Sequence, residues 1–122
     1  MERIRIIATF TAIAPENRER FKATVVQLTE LAASEEGTLE YSYYLTSDET
    51  HCMMIETYAN PEALSVHMGH AGHLLGALFE SGGSVDVNIL GDAPAALAEA
   101  TKDFHPTIYS LLAGARLPST HA

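Results

Sequence analysis

The chain has 122 residues, 47% of them hydrophobic and 19% charged, with a formal net charge of -9 and a single cysteine. That length fits one domain, and the acidity excludes nucleic acid and anionic membranes as partners, because both need a basic surface. Cys52 alone can form no intramolecular disulfide, no apolar run approaches the roughly 18 residues of a membrane span, and the charged start MERIRIIATF has no signal-peptide pattern, so the chain reads as cytoplasmic.

In Arg3 to Ala12, Ile4, Ile6, Ala8 and Phe10 alternate with Arg3, Arg5, Ile7, Thr9 and Thr11, a strand with one apolar and one mixed face. Ala14-Pro15-Glu16 opens a helix to about Ser34, in which Phe21, Val25, Leu28, Leu31 and Ala32 recur at spacings of three and four, and Gly37 stops it. Thr38 to Thr46 is a second strand, with Leu39, Tyr41, Tyr43 and Leu45 opposite Glu40, Ser42, Tyr44 and Thr46. The polar loop Ser47-Asp48-Glu49-Thr50 turns it into an antiparallel third strand, His51 to Tyr58. Both faces of that third strand are largely apolar, so each face needs a cover, helices on one side and another surface on the other.

Asn60-Pro61-Glu62 combines a capping side chain, a proline at the first helical position and an acid in the first turn. His67, His70 and His73 follow at intervals of three, with Gly69 and Gly72 expected to break the helix into two short pieces, the second carrying Leu74, Leu75, Leu78 and Phe79. Ser81 to Ser84 reads as a turn, and Val85, Val87 and Ile89 as a fourth strand, completing a β-α-β-β-α-β order of the ferredoxin-like kind. Asp92-Ala93-Pro94 starts a further helix, Thr107 to Ala113 is a candidate fifth strand, and 118–122 a frayed tail. The expected organisation is one domain over 1–117, with a core to 90 and a helix-strand extension over 91–117.

The chemistry gathers between Met54 and Phe79, at the corner where the third strand meets the histidine segment. The tyrosines, Tyr41, Tyr43 and Tyr58 among them, suit the wall of an aromatic-ligand pocket, and equally core packing. Glu56 sits on an apolar strand face and needs a partner if buried. His67 and Arg5 are the available kinds, and its role is either a structural carboxylate or a general base. Three histidines spread over six residues and interrupted by glycines make a poor metal site, so no metal is expected.

The run Ile55-Glu56-x-Tyr58, then Ala63-Leu64-x-x-His67, then His73, resembles the antibiotic biosynthesis monooxygenase domain of the dimeric α/β-barrel superfamily. The family's pattern at this corner is similar: an acid, an aromatic two residues on, then two histidines about six apart. The resemblance covers Met1 to roughly Leu90, and it implies an α+β fold in a homodimer whose sheets pack face to face, covering the second apolar face; Ile6 is a candidate for that side. Its haem-degrading branch matches least, since the chain has no tryptophan, has Ala8 and Thr9 in place of the first-strand asparagine, and has Ala77 in place of the axial histidine. What the resemblance implies is a cofactor-independent monooxygenase acting on a small electron-rich aromatic of quinol or anthrone type. His67 would be the base, Tyr58 would hold the oxyanion and Glu56 would assist, while His73, His70, Tyr41, Tyr43 and Met54 would contact the substrate. The competing reading is a non-catalytic dimeric small-molecule binder or accessory protein of the same fold.

Overall fold

The computed structural model describes residues 3–91 and 94–115. In chain order it has β1 (Ile4–Phe10), a 3-10 turn at Pro15–Asn17, α1 (Arg18–Ala33), β2 (Thr38–Leu45), β3 (Cys52–Tyr58), α2 (Pro61–Gly82), β4 (Val85–Leu90), α3 (Ala95–Thr101), a second 3-10 turn at Lys102–Phe104 and β5 (Thr107–Tyr109). The expected α+β order, βαββαβ with a helix and strand added, is therefore present. The sheet runs β2-β3-β1-β4-β5. Its first four strands pair antiparallel, while β5 lies parallel to β4 at the edge of its own sheet. The fifth strand is shorter than expected, ending at Tyr109 rather than Ala113. The expected helix start at 92–93 and the tail over 118–122 lie outside the described residues.

The alternation in β1 decides the layers. Ile4, Ile6, Ala8 and Phe10 are all buried, and the register sets Ile6 beside Glu56 and Ala8 beside Met54 on β3. Ile6 thus faces the helices, and the open side of the sheet carries Ile7, Ile55, Tyr44 and Met53 instead. Under the helices Phe10 packs edge-on against Phe21 of α1 at 5.1 Å between ring centres and also meets Phe79 of α2. Phe79 in turn stacks on Phe104, and Leu97 of α3 is buried, so the extension is packed into the same core.

The histidine segment departs from expectation, because α2 is one continuous helix of 22 residues through Gly69 and Gly72. Its start is capped as the sequence indicates, with the Asn60 side chain accepting from the Ala63 amide at 2.9 Å. A glycine in a helix costs only about 1 kcal/mol against alanine, less than the apolar stripe Leu64, Ala71, Leu78 gains by lying on the sheet. The two kinds of glycine in α2 should therefore respond oppositely to alanine. Gly72 faces open space, and Gly72→Ala should stabilise by about 0.5–1 kcal/mol. At Gly82 a Cβ would sit 2.4 Å from the Phe10 ring, and Gly82→Ala should destabilise by about 1–3 kcal/mol. Urea denaturation of the two variants checks the pair, and equal signs would contradict this packing.

Candidate functional site

His67 falls on the buried stripe of α2, one turn after Leu64 and one before Ala71, and is 1% exposed. At about 100° per residue, His70 and His73 turn progressively away from it. His70 reaches the rim and His73 is exposed on the outer side of the helix. The imidazole of His67 lies between two tyrosine rings, with centres 4.9 Å from Tyr41 on β2 and 5.5 Å from Tyr58 on β3. Cross-strand pairing puts Tyr41 beside Glu56 and Tyr43 beside Met54. The Tyr41 and Tyr43 hydroxyls hydrogen-bond each other at 2.9 Å.

Glu56 takes the helix side of the two placements that the sequence left open. It is 6% exposed, and the Tyr58 hydroxyl donates to its Oε1. Arg5 lies on the opposite face, where its Nε donates to Thr57 Oγ1 at 3.3 Å. His67 Nε2 is 3.9 Å from Glu56 Oε1, too long for a hydrogen bond, and although it is buried it has no hydrogen-bond partner among the described residues.

A residue that sequence reasoning missed completes the cluster. Glu35 follows α1 in the turn Ser34-Glu35-Glu36-Gly37, which crosses the start of α2. The backbone approaches so closely there that a Cβ on Gly37 would lie 2.4 Å from the Ala63 Cβ. The buried carboxylate of Glu35 accepts from Thr38 Oγ1 at 2.8 Å, from His67 Nδ1 at 2.8 Å and from His70 Nδ1 at 2.7 Å. An acid two residues before a helix-stopping glycine is too ordinary a pattern to have marked it. Among the described residues no group of three or more His, Cys, Asp or Glu side chains is placed to hold a metal ion.

The two carboxyls are pushed apart. Burial pushes Glu35 up, but the hydrogen bonds from His67, His70 and Thr38 outweigh it and leave the group below the usual carboxylate range. Burial raises Glu56, and the nearby Glu35 charge adds to that, against the opposing pull of the Tyr58 hydrogen bond and of His67. The Tyr41, Tyr43 and Tyr58 hydroxyls are all held well above the ordinary phenol range, chiefly by burial, and so remain protonated donors.

A raised carboxyl favours the folded state fully below its unfolded value, and that advantage is lost as pH rises toward the folded value. Glu56→Gln should then melt close to the wild type below about pH 4.5 and increasingly above it as pH approaches neutrality. Melting curves of both proteins from pH 4 to 8 test this, and a difference independent of pH would contradict a raised Glu56.

The family model described as antibiotic biosynthesis monooxygenase matches residues 3–76. Among solved structures, MupZ from Pseudomonas fluorescens aligns over 97% of both chains with a TM-score of 0.75 at 18% identity. A conserved protein from Methanosarcina mazei Go1 aligns over 73% of this chain and 91% of its own with a TM-score of 0.64 at 25% identity. A structure described simply as an antibiotic biosynthesis monooxygenase aligns over 75% of this chain and 99% of its own with a TM-score of 0.62 at 21% identity. No curated protein matches the chain. No helix among the described residues is long and apolar enough to cross a membrane.

Proposed function

Because this chain belongs to the antibiotic biosynthesis monooxygenase family, which its match over residues 3–76 shows, we propose that it oxygenates a small electron-rich aromatic, of quinol or anthrone type, without a cofactor. The observation that carries this reading is the unpartnered Nε2 of His67, a buried nitrogen 3.9 Å from Glu56 Oε1 on an imidazole whose ring lies against those of Tyr41 and Tyr58. His67 takes the proton of the substrate's hydroxyl or activated methylene. The resulting anion is electron-rich enough to reduce dioxygen itself. An anthrone so treated loses two hydrogens and gains one oxygen as the quinone, and the second oxygen atom leaves as water.

In this reading the oxyanion falls to a different tyrosine from the one the family resemblance suggests. The Tyr58 hydroxyl proton already serves Glu56. Tyr41 and Tyr43 share one hydrogen bond between two hydroxyls, which leaves one of their protons free to donate to a developing oxyanion. Met54 and the tyrosine rings supply apolar wall, and His70 stands at the rim.

The same reading includes a homodimer. The open sheet face exposes Tyr44 and Met53 and half-buries Ile7 and Ile55, an apolar surface that a second copy of the sheet would cover at about 10 Å spacing. A second reading is a non-catalytic binder of the same fold: His67 and Tyr58 are almost wholly shut from solvent, which counts against ready access of a substrate to the base, and in either reading the protein has to open to bring a ligand to them.

Oxygen-electrode measurements with a panel of hydroquinones and anthrones separate the two. Uptake by the wild type, reduced about 10²-fold or more in His67→Ala, is the expected result. No uptake across the panel, together with a ligand-dependent rise in melting temperature, would favour the binder.

A further inference from the structure

We propose that Glu35 is the positioning residue of this site, holding His67 in the tautomer that carries its proton on Nδ1 and leaves Nε2 free to accept one. The inference rests on the reading of His67 as the base and adds the group that makes it one. An ionised carboxylate only accepts hydrogen bonds, so the 2.8 Å contact between Glu35 Oε1 and His67 Nδ1 requires the hydrogen to sit on Nδ1. Neutral imidazole has one N–H, and Nε2 is then left with its lone pair. Nε2 is the atom that is buried without a partner, on an imidazole whose ring lies against those of Tyr41 and Tyr58. A bare lone pair there is less costly than an unpaired N–H⁺, so the environment agrees with the tautomer that Glu35 dictates.

The carboxylate is itself held from three directions. Thr38 at the start of β2 and His67 bond its Oε1, and His70, whose side chain is 51% exposed, bonds its Oε2. Three donors fix its plane and oppose its protonation. When substrate binds, the O–H bond breaks, its electron pair stays on the substrate oxygen and the hydrogen joins Nε2. The imidazolium so formed already has Glu35 at its other nitrogen, and dioxygen is the oxidant that consumes the substrate anion. The other ionisable groups facing His67 are Glu56 and Tyr58 from β3, Tyr41 from β2 and, through the shared carboxylate, His70 from α2.

The test begins with nitrogen NMR of histidine-labelled wild-type protein at neutral pH, the His67 signals being assigned by their loss in His67→Ala. A protonated Nδ1 with an unprotonated Nε2 is expected; the opposite tautomer, or both nitrogens protonated, would overturn the proposal. In Glu35→Gln, whose amide can either donate to or accept from Nδ1, the Nδ1-protonated tautomer is no longer enforced and the Nε2-protonated form should appear beside it. Turnover of whichever quinol or anthrone the wild type oxidises should fall about 10²-fold, with KM changed less than about threefold, and Glu35→Asp should recover part of the rate. Retention of the Nδ1-protonated form alone, together with the wild-type rate, in Glu35→Gln would overturn the proposal. If Glu35→Gln does not fold, the wild-type spectrum and the Glu35→Asp rate decide. The tautomer as expected, but with no oxygen uptake by the wild type, would leave Glu35's control of His67 standing and remove the monooxygenase reading.

Discussion

Ile6→Asp should not fold at neutral pH, whereas Ile7→Asp, one residue along the same strand, should fold and, on the proposed sheet-to-sheet dimer, lose self-association. Ile6 is 6% exposed beneath the helices, and its register partner on β3 is Glu56. A new carboxylate there is buried and lies next to a carboxyl that burial already disfavours in its charged form. The loss should exceed about 4 kcal/mol, comparable with the whole stability of a small domain. Ile7 points the other way, opposite Ile55 on the open face of the sheet. A charge placed there meets water in a monomer but would be buried and unpaired between two sheets. Far-UV circular dichroism and sedimentation equilibrium at low micromolar concentration measure both effects. A wild type that is a folded monomer with a melting temperature independent of concentration would refute the dimer, and a well-folded Ile6→Asp would refute the assignment of faces.

Glu35→Ala should cost about 3 kcal/mol, because stranding a buried hydrogen-bond donor costs about 1–3 kcal/mol. Thr38, His67 and His70 all lose their acceptor at once. Two of those donors are near or in the interior, where an unmade hydrogen bond is expensive. The loss should also depend on pH. A carboxyl held below its ordinary range contributes stability that is present above the unfolded value and is lost as pH falls through the folded value. The gap between wild type and Glu35→Ala should therefore be widest near neutrality and narrow on acidification. Urea titrations at pH 7 and pH 4 check it, and a loss under about 1 kcal/mol at pH 7, a typical figure for an exposed ion pair, would show that the cluster contributes little to the fold.

Much of the fold was legible along the chain, for reasons that are local. Alternation of apolar residues marks β1, and spacings of three and four mark α1 and α2. The Asn60-Pro61-Glu62 start of α2 is capped as its residue types require. The same helical period carries His67 onto the buried stripe and His73 away from it, once the helix is continuous through Gly69 and Gly72. That continuity was not legible, because local propensity speaks against glycine and only packing of α2 on the sheet outweighs it. Nor was the side that Glu56 takes. Where both faces of a strand are apolar, its pattern fits either orientation, and the pairing of Ile6 with Glu56 beneath the helices settles it. Glu35 was the least visible of all. It stands 32 residues from His67, and nothing in the turn that holds it differs from any acidic helix end. The sequence by itself determined the order of strands and helices and most of the residues that could do chemistry, because those follow from neighbours a few positions apart. Only the tertiary structure decided which of these groups meet, because hydrogen bonds between distant segments exist only once α1, α2 and the sheet have packed.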